Sequence, residues 1–201
     1  MVTDLITSFV LVIRNFILLI ISPYKTMRKI SLEKDLYQPA LIIGLIFIYF
    51  KFIYYLRDRI YPATLIYLIF VINFFLTISF FYLLSKLFNK NKKEIKFYSF
   101  VFTFIYSMLP TLIWFLSTSI LYIFLPPPRT FSLMGKGFSI FFIAYSLSLL
   151  IWKFILVYLA VRFSSKQNFF TIIFMIIFYL IWFIPYSVLL YQLKLFRIPF
   201  I

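Results

Sequence analysis

Long apolar stretches alternate with short polar segments along this chain. Five apolar stretches occupy residues 39–56, 62–84, 98–125, 138–161 and 169–191. Each is close to the ~20 residues that a helix needs to cross a ~30 Å hydrocarbon core. Because the apolar residues are continuous instead of alternating with polar ones, the pattern predicts helices and not strands. The sequence therefore predicts an all-α membrane bundle with five transmembrane helices, in a single domain that covers residues 1–201.

Residues 1–24 have a different pattern, in which polar residues recur among apolar ones. On a helix with ~100° per residue, the polar residues fall within one sector of about 120°. This sector holds Asp4, Thr7, Ser8, Arg14, Asn15, Ser22, Lys25 and Lys29. An arginine at the centre of a spanning helix costs about 2.5–3.5 kcal/mol on insertion scales, whereas an amphipathic helix can lie in the membrane interface. We therefore expect an N-terminal interfacial helix, with a sixth spanning helix as the alternative.

A basic segment, residues 25–38, joins this helix to the first span, and we call it the elbow. Pro23 is expected to end or bend the interfacial helix, because its ring blocks the backbone bond to the preceding turn. The cations Lys25, Arg28 and Lys29 follow. Pro39 suits the first turn of the next helix, so Gln38 is predicted to cap that helix.

Composition and charge agree with a membrane location. Hydrophobic residues make up 65% of the chain, and 20 basic against 5 acidic residues give a net charge of +15. A soluble domain of this size does not cover so much apolar surface. Since the bases flank the spans, we expect them to set the topology and to meet anionic lipid headgroups, and nucleic-acid binding is not expected. Their distribution predicts that the elbow, the N-terminus and a basic loop (Lys90, Lys92, Lys93) are cytoplasmic and that the C-terminus lies on the opposite side.

Residues of the usual catalytic and metal sites are missing from the predicted spans. The chain has no cysteine and no histidine. Its five acids, all near the predicted membrane interfaces and none in the middle of a span, are Asp4, Glu33, Asp35, Asp58 and Glu94. An enzyme, a metal site and a cofactor are therefore not predicted. Lys153 is the one ionisable residue well inside a span, and we expect its amine to snorkel towards the interface, with an intramembrane anion site as the alternative.

The third span combines a proline with hydroxyl side chains. Pro110 predicts a kink. The hydroxyl stripe consists of Ser107, Thr111, Ser117, Thr118 and Ser119. Such residues allow helices to approach closely, and their hydroxyls bind carbonyls that a proline leaves unpaired. We expect the stripe, together with Asn73 of the second span, to join helices, and a cavity at the kink is the alternative.

Three short motifs resemble the YIP family of five-span membrane proteins, which is named for interaction with Ypt/Rab GTPases. Asp35-Leu36-Tyr37-Gln38-Pro39 is similar to the family's Asp-Leu-aromatic-Gly-Pro entry to the first span, with Gln38 where glycine is usual. Tyr106-Ser107-Met108-Leu109-Pro110 resembles its Tyr-Ser/Cys-Leu-x-Pro motif, and residues 22–28 resemble the lead-in of prokaryotic members. The resemblance implies the five-span fold in a prokaryotic cell membrane. Its motif residues are Asp35, Leu36, Tyr37, Pro39, Tyr106, Ser107 and Pro110.

These features predict a non-enzymatic, YIP-like membrane scaffold. The elbow and the basic loop are expected to dock a protein partner or anionic lipid headgroups. The cations concerned are Lys25, Arg28, Lys29, Lys90, Lys92 and Lys93. A homo- or hetero-oligomer is also expected. The alternatives are a permease or accessory subunit of a transport complex, in which Lys153 selects an anion, and a structural subunit of a larger membrane assembly.

Overall fold

The computed structural model describes residues 2–56, 60–89, 94–124 and 133–193. Within these ranges the chain forms eight α-helices and no strand, which confirms the predicted all-α bundle. The helices are α1 (Val2–Ile21), α2 (Pro23–Ile30), α3 (Tyr37–Leu56), α4 (Ile60–Leu87), α5 (Phe97–Ser107), α6 (Leu109–Phe124), α7 (Leu133–Ser165) and α8 (Phe169–Gln192). The predicted loop cations Lys90, Lys92 and Lys93 lie outside the described residues.

Five helical stretches of the described chain are long and apolar enough to cross a membrane, which fits a multi-pass membrane protein. They are Thr3–Ile21, Ala63–Leu87, Phe97–Leu121, Gly137–Ser165 and Phe169–Gln192. The set includes α1, the predicted interfacial helix. The helix α3, the predicted first span, is apolar over Tyr37–Phe52 and has 20 residues in all. The length and apolarity of α1 and α3 therefore do not distinguish which of these two helices crosses the membrane.

The central helix of the bundle is α5. Its residues Ser99–Ser107 are buried, apart from the half-buried Val101. It packs against α2, α3, α4, α6 and α7, and the ring of Phe104 lies 5.2 Å from that of Phe81 on α4. A helix that is apolar on every side is stable when other elements surround it. Because α5 touches most of the bundle, its few polar side chains can join several helices at once.

The predicted third span is interrupted at Met108, which divides it into α5 and α6 just before Pro110, where the kink was predicted. Pro110 has no N–H, so the carbonyl of Tyr106 lacks its usual intrahelical donor. The N–H of Met108 closes the end of α5 on the carbonyl of Ile105 at 3.2 Å. This bond spans three residues instead of four and tightens the last turn.

The hydroxyl stripe of α6 joins helices, as expected. The hydroxyl of Tyr49 on α3 lies 2.6 Å from that of Ser119, and Tyr145 of α7 donates to the Ser117 hydroxyl at 3.0 Å. Asn73 joins α4 to α8 in the same way, since its Oδ1 accepts from a tyrosine hydroxyl of α8 at 2.8 Å. These bonds fix the relative positions of α3, α6 and α7 and of α4 and α8.

The elbow is partly helical, and its cap differs from the prediction. Pro23 separates α1 from α2, because α1 ends at Ile21 and α2 begins at the proline. The prediction that Gln38 caps α3 is wrong: α3 begins at Tyr37, and Oδ1 of Asp35 accepts the Tyr37 N–H at 3.0 Å. An aspartate side chain is short enough to bind the backbone two residues ahead, whereas the longer Gln38 side chain is buried in the bundle.

Hydroxyl groups attach the elbow to α5 and α7. Ser99 of α5 donates to the backbone carbonyl of Ser31 at 2.9 Å. The Ser164 hydroxyl of α7 donates to the Ser99 carbonyl at 3.1 Å and lies 2.7 Å from the Thr103 hydroxyl. The elbow, the start of α5 and the end of α7 therefore meet at one end of the bundle, which we call the elbow end.

Candidate functional site

A chain of hydrogen bonds joins α1, the elbow, α3 and α5. Ser8 of α1 donates to Oδ2 of Asp35 at 2.5 Å, and Nε2 of Gln38 donates to the same oxygen at 3.3 Å. The Tyr106 hydroxyl donates to Oε1 of Gln38 at 2.6 Å and accepts from Nδ2 of Asn15 at 3.3 Å. We call these five residues the Asp35 cluster. Both ends of the chain of bonds are on α1, so it holds that helix against the bundle at two points.

Burial makes the members of the Asp35 cluster depend on one another. Ser8 and Asn15 are 3% and 4% exposed, and Gln38 and Tyr106 are fully buried. A buried polar group without a partner costs about 1–3 kcal/mol. The half-buried Asp35 carboxylate accepts three hydrogen bonds, counting the N–H at the start of α3. Loss of one side chain therefore leaves its neighbours unpaired as well.

The order of these contacts shows how α1 meets α3. A spanning α1, joined to α3 through the elbow, would run antiparallel to α3. Asn15 would then lie near the start of α3, and Ser8, seven residues earlier, would lie about 10 Å further along it. Instead Ser8 binds Asp35, which precedes α3, while Asn15 shares Tyr106 with Gln38 of its first turn. Both polar residues of α1 therefore lie over the beginning of α3.

The C-terminal end of α1 lies at the elbow end. Tyr24, three residues after α1, packs edge-on against Phe163 of α7 with ring centres 5.0 Å apart. Phe163 precedes Ser164, which binds the start of α5. Further back along α1, Asn15 binds Tyr106 near the other end of α5, and Ser8 binds Asp35.

Three faces can be distinguished on α1. The buried face holds Ser8, Val12, Asn15 and Leu19. An exposed apolar flank holds Ile6, Phe9, Ile13 and Ile20. The other exposed side holds Asp4, Thr7 and Arg14 together with the apolar Ile17 and Ile21. The single polar sector expected from the sequence is thus divided, because Ser8 and Asn15 turn into the protein.

The predicted docking cations of the elbow are exposed on α2. The buried side of α2 consists of Thr26, Met27 and Ile30. The exposed side holds Lys25, Arg28 and Lys29. Burial of one side fixes the helix, so these cations are held outward in defined positions. Elsewhere at the elbow end, Lys96 pairs with Glu94 at 3.4 Å, and a hydrogen bond that the ammonium donates to Tyr98 and the charge of Glu94 raise the pKa of Lys96.

The structure brings together some of the predicted motif residues and separates others. Asp35 and Tyr106 meet through Gln38, which binds both of them. Pro39, Ser107 and Pro110 are buried, and each is close in sequence to Gln38 or Tyr106. Leu36 and Tyr37 are exposed. Lys153 lies apart from the cluster, half-buried near the middle of α7. Within the described ranges, no three potential metal ligands of the His, Cys, Asp and Glu types lie together.

The fold and these contacts define an all-α, multi-pass membrane protein. No protein-family model, no curated protein and no solved structure matches the chain. The resemblance to the YIP family therefore rests on the short motifs alone.

Residue-level reasoning missed two partners of the cluster. Ser8 and Asn15 share a helix face at a spacing of seven residues, and this spacing was the available signal for a common binding surface. On an amphipathic helix the same spacing is typical of a water-facing side. Whether that face meets water or protein depends on its partners: Asp35 lies 27 residues after Ser8, and Tyr106 lies 91 residues after Asn15.

Proposed function

We propose that this protein is a non-enzymatic membrane scaffold of the YIP type, in a prokaryotic cell membrane with its elbow on the cytoplasmic side. Its elbow end docks an acidic partner, either a protein segment or anionic lipid headgroups. The observation that carries the proposal is the fixed, outward position of Lys25, Arg28 and Lys29 on a helix whose other side is buried. A preorganised charged surface loses little conformational entropy on binding and steers partners of opposite charge.

The interfacial position of α1 is part of this proposal. Its support is the burial of Ser8 and Asn15 against the beginning of α3 and α5, together with the charged Asp4 and Arg14 on the exposed surface of α1. In this arrangement Arg14 reaches the headgroups, while Ile13 lies in lipid. α3 then forms the first span, and its 20 residues extend over about 30 Å.

Neutralisation of the elbow lysines tests the docking function. The full-length protein carrying Lys25→Gln and Lys29→Gln is recovered in mild detergent with its bound proteins, and its association with anionic vesicles is measured in parallel. A second variant adds Lys90→Gln, Lys92→Gln and Lys93→Gln. We expect a several-fold loss of partner recovery or of vesicle association. The wild-type signal should itself weaken as salt rises, because salt screens exposed charges beyond about 10 Å at 0.1 M.

Lys51→Gln provides the matched control, since it removes the same charge from α3 far from the elbow. Lys51 donates to the Thr64 hydroxyl at 2.7 Å and has no contact with α2. Unchanged partner recovery and vesicle association in both elbow variants would refute the docking function. An equal loss in Lys51→Gln would show that net charge, and not the elbow, attracts the partner.

A further inference from the structure

A second group of side chains at the elbow end lies between α2 and α7. The guanidinium of Arg162, in the last turn of α7, lies 5.5 Å from the ring centre of Tyr24 and 6.0 Å from that of Tyr158. Its Nη1 donates to the Tyr158 hydroxyl at 3.1 Å. Tyr24 is held in turn by Phe163. Two aromatic rings and one hydrogen bond therefore hold an exposed arginine in place, while most of its five N–H donors stay available at the surface.

Arg28 lies on the same face of α2 as Tyr24. It follows Tyr24 by four residues, and helix residues at this spacing have Cβ atoms about 5–6 Å apart on one face. Among the described residues, no carboxylate oxygen lies within 4 Å of Arg28 or Arg162. Lys96 differs, since Glu94 lies 3.4 Å from it. The face of α2 that carries Tyr24 and Arg28 and the end of α7 that carries Arg162 thus offer two guanidinium groups without a nearby carboxylate.

An exposed apolar stripe continues from Arg162 along α7. Tyr158, Ile155 and Ile151 precede the arginine by four, seven and eleven residues, a spacing that places them on the same helix face. Ile155 is 49% exposed and Ile151 is 54% exposed. Eleven residues of helix extend over about 16 Å, which is close to half of a ~30 Å hydrocarbon core. The stripe therefore has the length of one membrane leaflet.

We propose that the groove between α2 and α7 binds one anionic phospholipid. Its phosphate contacts Arg28 and Arg162, and one acyl chain lies along Tyr158, Ile155 and Ile151. The planar fork of donors on arginine matches the oxygens of a phosphate, which a lysine ammonium does not. Neither an acidic peptide nor free phosphate has a hydrocarbon chain to cover the stripe. This inference rests on the proposed docking role of the elbow end, and it names a ligand and the residues that hold it.

Lipid binding by the purified full-length protein tests the site. The protein in mild detergent is titrated with phosphatidylglycerol, with phosphatidylcholine and with inorganic phosphate, and bound lipids are counted by native mass spectrometry. We expect one tightly bound phosphatidylglycerol. Arg28→Gln and Arg162→Gln should each weaken its binding by about tenfold or more, because each removes charge-assisted hydrogen bonds worth about 1.5–3 kcal/mol. Arg162→Lys should recover only part of the loss, since it restores the charge without the fork of donors.

Two variants keep the result interpretable. Lys86→Gln removes an equal charge from the last turn of α4, outside α2 and α7, and should change the affinity less than threefold. Arg28→Gln alters an exposed side chain for which no hydrogen bond or ion pair is seen in the described chain, so its effect does not depend on a change in folding.

Three results would overturn the proposal. Equal losses in Lys86→Gln and Arg28→Gln would indicate diffuse attraction instead of a site. Equal binding of phosphatidylcholine, or full competition by millimolar inorganic phosphate, would show that the lipid and its charge are not recognised together. Capture of an acidic protein in place of lipid at Arg28 and Arg162 would assign the groove to a different partner. The docking function is judged separately by the variants of Lys25 and Lys29, so either conclusion can fail without the other.

Discussion

Replacement of Tyr106 by phenylalanine removes one hydroxyl from the middle of the Asp35 cluster. That hydroxyl donates to Gln38 at 2.6 Å and accepts from Asn15 at 3.3 Å. Interhelical hydrogen bonds in membrane proteins contribute about 0.6 kcal/mol on average and up to about 1.7 kcal/mol. Loss of two such bonds should lower the free energy of unfolding by about 1–3 kcal/mol. The ring of Tyr106 still packs edge-on against Phe16, 5.4 Å away, so the aromatic packing is retained.

A double-mutant cycle with Gln38→Leu tests whether the two side chains act together. In the Tyr106→Phe background the amide of Gln38 has already lost its shortest hydrogen bond, so its replacement should cost less than in the wild type. A coupling energy of at least about 0.5 kcal/mol is expected for residues in one hydrogen-bond network. The energy is measured by denaturant unfolding in mixed micelles, followed through the fluorescence of the three tryptophans.

Tyr49→Phe is the matched control for this prediction. Tyr49 also joins two helices by its hydroxyl, but its partner Ser119 donates to the Phe115 carbonyl at 2.8 Å and keeps that bond. No buried group is left unpaired, so the loss should stay below about 1 kcal/mol. Equal destabilisation by Tyr106→Phe and Tyr49→Phe, with no coupling to Gln38, would refute the argument that the cluster fixes α1 through mutually dependent buried groups.

Two further outcomes can be measured on α1 and on the turn after α7. The chain has no native cysteine, so a single introduced cysteine can be labelled specifically. Asp4→Cys should react with a membrane-impermeant thiol reagent from the same face as Lys25→Cys, and Ile13→Cys should react more slowly. Reaction of Asp4→Cys from the opposite face would mean that α1 spans the membrane. Lys166→Gly should raise the free energy of unfolding by about 0.5–1 kcal/mol, because Lys166 has a φ of 56°, in the left-handed region that penalises side chains. Gln167→Gly should give no such gain when both variants are measured by denaturant unfolding in mixed micelles, and an equal gain would contradict the assignment of strain to Lys166.

The helices and the division at Met108 could be predicted because they depend on local chemistry. Continuous apolar sequence needs a helix in lipid, and Pro110 removes a backbone donor wherever it stands. The cap of α3 is also local, but two neighbouring polar residues are candidates for it. Asp35 has the shorter side chain and binds the backbone, whereas Gln38 binds Tyr106.

The Asp35 cluster could not be predicted because its bonds are long-range. The spacing of Ser8 and Asn15 identifies a common face of α1, but periodicity carries no information about what that face meets. Gln38 stands where the resembling family has glycine, and from sequence it is only a departure from a motif. In the structure its amide fills the space between Asp35 and Tyr106 and binds both.

The hydrogen bonds of the Asp35 cluster join parts of the chain that are synthesised at different times. Asn15 and Tyr106 are 91 residues apart. At a synthesis rate of about 5–20 residues per second, roughly 5–20 s pass between the appearance of these two residues at the ribosome. Throughout this interval α1 lacks the hydroxyl that completes its attachment. We therefore expect α1 to remain at the membrane surface until α3 and α5 have inserted. Its attachment is then a late step in the biogenesis of the bundle.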